Sequence, residues 1–301
     1  MRYGFVTCDV FTDTRFGGNP LAVLPEATGL SDEQMLQVAR EFNYSETAFV
    51  LPPEDGHDRR VRIFTPSREV PFAGHPNIGT AFVLASNGLL GSGDLPRTVV
   101  FEEEAGLVAV RIESRDGGGL WCELTAPEPF TRGRALEVAH LAAALCLDET
   151  DIRTDAHPPL VASTGLPFVI VELADLNALG RARPDVAGLQ RMLDAGSKVA
   201  DVHAYVRTDG RAEADIRARM FAPFDGVHED PATGSANCAL AGLLAQLDPA
   251  ADGAFAWRIA QGVEMGRPSQ LQARATKTAG EVTSVHIGGG SVQVSQGFIS
   301  V

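Results

Sequence analysis

The chain is poor in the residues that carry metal, redox or membrane chemistry. Its 301 residues hold four cysteines, Cys8, Cys122, Cys146 and Cys238, and these form no CxxC pair and no metal-ligand spacing. They read as reduced packing residues of a cytoplasmic protein. No apolar run approaches the ~20 residues that span a bilayer. The N-terminus, MRYGFVTCDVFT, alternates like a strand and has no signal-peptide core. No GxGxxG follows a strand, which removes the usual dinucleotide fingerprint. Positive charge is scarce: 25 Lys and Arg stand against 39 Asp and Glu, for a net charge of −14. Such a surface repels nucleic acid and anionic membranes, so neither is expected as a partner. Neither a metal nor an organic cofactor is expected either.

What is present is an internal repeat, the feature that most constrains a fold. Gly18-Asn-Pro-Leu-Ala-Val23 is echoed by Gly165-Leu-Pro-Phe-Val-Ile170. A helical segment follows each. The first, SDEQMLQVAREF, opens with a capping box, Ser31 with Gln34, and puts Met35, Val38, Ala39 and Phe42 on one face. The second is PDVAGLQRMLDA. Ala48-Phe-Val50 then matches Ala204-Tyr-Val206, and Arg62-Ile-Phe-Thr-Pro66 matches Arg219-Met-Phe-Ala-Pro223. Last, Gly79-Thr-Ala81 matches Gly234-Ser-Ala236, each expected to open an apolar helix.

These matches in order predict an α+β fold of two pseudo-symmetric domains, residues 1–116 and 117–301. Each is a barrel-like β-sheet wrapped around a central α-helix, because a helix apolar nearly all round must be covered on all sides. The last strands, VTSVHIGG and SVQVSQGFISV, have no counterpart in the first half and are expected to pack back onto it.

Two similar halves make a cleft, a favoured place for a ligand. Each half aims a helix start at a turn of small residues, where free N–H groups and the helix dipole attract a carboxylate. The chemistry lies in the asymmetries. Matching Ala48 to Ala204 sets Glu46 against Val202, a carboxylate where the repeat has an apolar residue. Desolvation of such a Glu would raise its pKa and suit it to general acid/base work. His75 precedes one helix, and Asp230 and Ser235 lie at the start of the other.

At these residues the sequence resembles the PhzF family of phenazine-biosynthesis-like isomerases. FTDTRFGGNPLAVL, YSETAFV, RIFTPSREVPFAGHPNIGTA, EDPATGSA and QGVEMGRPSQL carry the likeness from about Phe11 to Leu271. The resemblance implies the two-domain fold of diaminopimelate epimerase and a homodimer. It implies Glu46 as the catalytic acid/base, with His75, Asp230 and Ser235 and the backbone of Gly74 and Gly234 holding a small carboxylate substrate. The activity it implies moves a proton between carbons without metal or cofactor, on a substrate such as trans-2,3-dihydro-3-hydroxyanthranilate. In that reading Glu46 both removes the proton and returns it. Three other readings stand beside it: an amino-acid epimerase on the same fold, a non-catalytic ligand-binding protein, and a serine hydrolase using Ser235. The last is disfavoured because ATGSA lacks the glycine that a nucleophile elbow carries after its serine.

Overall fold

A computed structural model describes residues 1–91, 93–115, 117–208 and 213–301. Asp116, the last residue expected of the first half, lies outside the described residues. The chain divides into two units, Met1–Thr125 with Gly288–Val301, and Ala126–Ile287. The division falls past the Gly117 turn because the strands on either side of that turn pair as a hairpin, with Ile112 opposite Cys122.

In unit 1 the order is β1 (Arg2–Val10), β2 (Asn19–Leu24), α1 (Asp32–Phe42), β3 (Glu46–Leu51), β4 (Arg59–Phe64), β5 (Glu69–Val70), α2 (Gly74–Ser86), β6 (Arg97–Glu103), β7 (Gly106–Ser114) and β8 (Leu120–Thr125). Unit 2 runs β9 (Thr131–Ala135), α3 (Val138–Ala144), β10 (Ile152–Arg153), β11 (Leu160–Ser163), β12 (Pro167–Leu173), α4 (Leu176–Arg181), α5 (Val186–Asp194), β13 (Val202–Arg207), β14 (Ile216–Ala222), β15 (Val227–Asp230), α6 (Gly234–Leu247), β16 (Gly253–Gln261) and β17 (Ser269–Thr278). The final strand, β18 (Glu281–Ser300), begins in unit 2 and ends in unit 1.

Pairing in unit 1 runs β1–β2, β2–β3, β3–β4, β4–β6, β6–β7 and β7–β8, and β18 pairs with both β1 and β8, which closes the ring. Helix α2 fills it, buried from Gly74 to Leu84 and touching β1, β2, β3, β7 and β8. Helix α1 lies outside. Ser31 and Gln34 form the expected capping box, and Met35, Val38 and Ala39 pack on Phe49 and Phe64 with Phe42 at the margin.

Unit 2 repeats the plan. Parallel β12–β13 answers β2–β3, antiparallel β13–β14 answers β3–β4, parallel β14–β16 answers β4–β6, and β16–β17 answers β6–β7. Helix α6 is the buried counterpart of α2 and touches β11, β12, β16 and β17. Val202, Ala204 and Val206 face outward into a cluster with Leu141, Leu179 and Leu189.

Two of the expected matches are corrected by this geometry. Helix α2 opens at Gly74, not near Gly79. Pro76 is tolerated because it lies in the first turn, where its missing N–H has no helical partner to lose. Asn77 then corresponds to Asn237: each donates its side-chain amide to the carbonyl four residues back, Ala73 at 3.0 Å and Thr233 at 2.9 Å. Gly79 lies inside the helix instead, and a Cβ there would sit 2.5 Å from the Leu21 side chain.

The second correction concerns Glu46. Parallel pairing sets Ala22 against Thr47 and Val169 against Val202. Antiparallel pairing sets Thr47 against Phe64 and Val202 against Phe221. Ala22 and Val169 match in the repeat, as do Phe64 and Phe221. Both neighbouring strands therefore equate Thr47 with Val202, and Glu46 with Asp201. The Ala-aromatic-Val match was slipped by one residue, which in a strand exchanges the two faces.

Candidate active site

Each unit brings its expected site residues to the start of its central helix. In unit 1, Glu46 is the first residue of β3 and is half-buried, while His75 is the second residue of α2 and is 5% exposed. His75 Nε2 lies 3.6 Å from Glu46 Oε2, beyond hydrogen-bonding length. Burial pushes the imidazole pKa down to about 3, so His75 is neutral across the physiological range.

The tautomer follows from the next shell. Ser45 Oγ donates to Asn19 Oδ1 at 3.2 Å, which turns the Asn19 amide nitrogen toward His75 Nδ1 at 3.3 Å. An amide NH₂ only donates, so Nδ1 accepts and the ring proton sits on Nε2, facing Glu46. Strand β2, the loop before β3 and the first turn of α2 thus fix one neutral N–H donor beside one carboxylate.

In unit 2, Asp230 ends β15 and is 7% exposed, Gly234 is the first residue of α6, and Ser235 is the second and half-buried. Neither α2 nor α6 carries a side-chain N-cap bond. The approach to α6 is heavily braced. Thr233 Oγ1 donates to Asp230 Oδ2, and Gln261 Nε2 donates to the Asp230 carbonyl at 2.8 Å and to Thr233 Oγ1 at 3.1 Å. Gln261 Oε1 accepts from the Thr233 N–H at 3.2 Å and from Asn237 Nδ2 at 2.8 Å. His203 Nε2 meets Asn237 Oδ1 at 3.1 Å, and burial pushes that imidazole pKa down to about 4. Every polar atom of the Gln261 amide is used, so the Asp230–Ser235 turn is held rigid.

Glu229 and Asp230, neighbours in sequence, have different tasks. Glu229 forms a two-bond fork with Arg219, both bonds 2.8 Å, and Arg219 also donates to the carbonyls of Leu179 and Ala182. Unit 1 repeats the fork with Arg62 and Glu69 at 2.7 and 2.5 Å. These forks anchor the strands that lead into α6 and α2. The repeated arginines were visible in the sequence, but their carboxylate partners were not.

The β4–β6 and β14–β16 registers, continued by one residue, equate Glu103 with Gln261. Glu103 does not reproduce the amide's bonds. Both its carboxylate oxygens are buried without a hydrogen-bond partner, and burial pushes its pKa up to about 8, opposed in part by nearby Asn77. Glu103 is therefore a carboxylic acid at neutral pH, a neutral stand-in for the glutamine of unit 2.

Among the described residues, no three His, Cys, Asp or Glu side chains converge as a metal site, and no helix is long and apolar enough to cross a membrane. Cys8 and Cys238 are almost wholly buried, and desolvation pushes the Cys8 thiol far above its usual range.

Comparison with known proteins places the whole chain. A family model described as phenazine biosynthesis-like protein matches residues 8–297. An uncharacterized isomerase of Mesorhizobium japonicum is 39% identical, covering 99% of this chain and 98% of the relative. A trans-2,3-dihydro-3-hydroxyanthranilate isomerase of Pseudomonas fluorescens is 34% identical, covering 99% of each. A solved PhzF-family protein of Bacillus anthracis superposes with a TM-score of 0.90 at 24% identity, covering 100% of each chain, which speaks to the fold. On these grounds the chain belongs to the phenazine biosynthesis-like protein family and is an isomerase.

Proposed function

We propose that this isomerase moves a proton between carbons of a small carboxylate substrate without a cofactor, and that Glu46 is the carboxylate that takes the proton. The observation that carries the reading is the pair at the start of α2. A half-buried carboxylate stands 3.6 Å from a neutral imidazole whose N–H faces it. The imidazole does not neutralise the carboxylate by protonation, because it remains uncharged down to about pH 3. His75 offers a hydrogen bond to a substrate polar group or to Glu46 itself. Asp230 and Ser235 bind the substrate's polar groups, and the uncapped N–H groups at Gly74 and Gly234 take its carboxylate, each helix start adding roughly 0.3–1 kcal/mol of dipole attraction. The substrate class follows the Pseudomonas fluorescens relative, so trans-2,3-dihydro-3-hydroxyanthranilate is the first compound to test.

A thiol-based epimerase is the poorer reading. Cys8 is held protonated by burial, and Cys238 lies inside α6 at 2% exposure. The decisive experiment is turnover by Glu46→Gln, which keeps the shape and removes the base. A positioned base contributes about 10²–10⁴-fold in rate, so kcat falls by at least about that lower figure with KM nearly kept. Asp230→Asn raises KM as well, because a contact made in the ground state is lost. Near wild-type kcat for Glu46→Gln would end the assignment.

A further inference from the structure

The imidazole at the start of α2 is held by a residue that the repeat supplies in unit 1 and not in unit 2. Asn19 opens β2 and is wholly buried. The match of Gly18-Asn-Pro-Leu-Ala-Val23 to Gly165-Leu-Pro-Phe-Val-Ile170 sets Leu166 in its place, an apolar side chain. The second residue of the central helix changes in step. Gly74 corresponds to Gly234 and Asn77 to Asn237, so His75 answers Ser235. The amide stands where the helix start carries an imidazole, and leucine stands where it does not. A buried amide is costly unless its polar groups are bonded. Asn19 places both of its groups on residues that flank Glu46 and His75.

Both edges of the ring select one tautomer. On the first edge, Asn19 Nδ2 donates to His75 Nδ1 at 3.3 Å, and Ser45 Oγ donates to Asn19 Oδ1 at 3.2 Å. On the other edge, Nε2 is buried and faces Glu46 Oε2 at 3.6 Å. A proton on Nε2 turns an N–H toward that carboxylate. A lone pair there would set two acceptors face to face. In a neutral imidazole the hydrogen bond at one nitrogen decides whether the other carries the proton. The contact that decides it here is the one to Asn19.

We propose that Asn19 is a positioning residue of the isomerase: by donating to Nδ1 it commits the single ring proton of His75 to Nε2, and turnover requires that tautomer. The proposal rests on the reading of Glu46 and His75 given above. Asn19 acts through His75 rather than on the substrate. With the ring proton on Nδ1, the imidazole would present a lone pair where the reading needs a donor, and neither a substrate oxygen nor Glu46 could accept from it.

The test uses the full-length protein with ¹⁵N-labelled histidine. Long-range ¹H–¹⁵N correlations at pH 7 report which ring nitrogen carries the proton, and His75 is assigned by its loss in His75→Gln. Wild-type protein, with no substrate added, is expected to show a neutral His75 protonated on Nε2. Asn19→Asp keeps the shape and sets an acceptor opposite Nδ1, so the ring is expected to carry a proton on Nδ1. With trans-2,3-dihydro-3-hydroxyanthranilate its kcat is expected to fall at least about tenfold with a smaller change in KM, since a wrong imidazole tautomer costs up to about 10⁴-fold in a catalytic triad. Asn19→Leu removes the donor without adding charge, and is expected to leave a mixture of tautomers and a kcat between the other two. A wild-type His75 protonated on Nδ1 overturns the proposal, whether or not either variant folds. A ring proton that stays on Nε2 in both variants overturns it too, as does wild-type kcat in a folded Asn19→Asp variant whose ring proton has moved. The outcomes separate the two readings. An active Glu46→Gln variant, or wild-type enzyme that does not turn this substrate over, refutes the isomerase assignment as drawn. A dead Glu46→Gln variant beside a fully active Asn19→Asp refutes the role of Asn19 alone.

Discussion

Replacing Glu103 by glutamine stabilises this protein, and increasingly so as the pH rises. Glu103 stands where unit 2 has Gln261, with both carboxylate oxygens buried and unpartnered. Its pKa is pushed from the ordinary 4.5 up to about 8. The folded state therefore keeps a proton that the unfolded chain releases above pH 4.5. Its contribution to stability is fully present below pH 4.5 and is lost as the pH climbs through 8. Each pH unit in that window costs up to about 1.36 kcal/mol. At pH 7 the loss is up to about 3 kcal/mol, and above pH 8 it approaches about 5 kcal/mol as an upper bound. Glu103→Gln has no proton to lose. Urea unfolding of both proteins at pH 5, 6, 7 and 8 should give midpoints that nearly coincide at pH 5 and separate steadily above it, the variant being more stable. Curves that stay parallel across the whole range would show that Glu103 ionises freely, and that its carboxylate has access to water or a partner.

Two further substitutions test the packing around the helix starts. Gly79→Ala forces a Cβ to within 2.5 Å of Leu21 and 2.7 Å of Val10, and overpacking of this kind costs about 1–3 kcal/mol, read as a lower thermal midpoint. Gln261→Leu leaves the Thr233 N–H and Asn237 without their acceptor; it should cost about 1–3 kcal/mol in stability and raise KM more than it lowers kcat, since the Asp230–Ser235 turn loses its brace.

The two-unit plan was legible in the sequence because the repeat preserves order, and because local signals agree with it. Ser31 with Gln34 marked the start of α1, and the Gly234 turn marked the start of α6. What misled the eye was local similarity at the wrong register. Ala48-Phe-Val50 and Ala204-Tyr-Val206 look alike, yet a one-residue slip reverses which side chains face the barrel interior. Only pairing with β2 and β4 corrects it, and that pairing is non-local. The match of Gly79-Thr-Ala81 to Gly234-Ser-Ala236 likewise set the helix start too late, whereas the helix opens at Gly74 and its first turn accepts Pro76. Gln261, Asn237, Asn19 and Ser45 were not legible as site supports. Their polar groups act on residues 24 to 56 positions away, a separation no short motif records.

The crossing of β18 from one unit to the other has a consequence for biosynthesis. Unit 2 is a single continuous stretch, Ala126–Ile287, whereas β1 pairs along its length with residues Ser291 to Ser300. A nascent chain emerges from the ribosome N-terminus first, so β1 waits with one edge unpaired until residues 291–300 have been made. Unit 2 can close first, and unit 1 closes only when Gly288–Val301 arrive. An exposed strand edge is a template for wrong pairing, so stalled or C-terminally truncated chains of this protein should aggregate through β1.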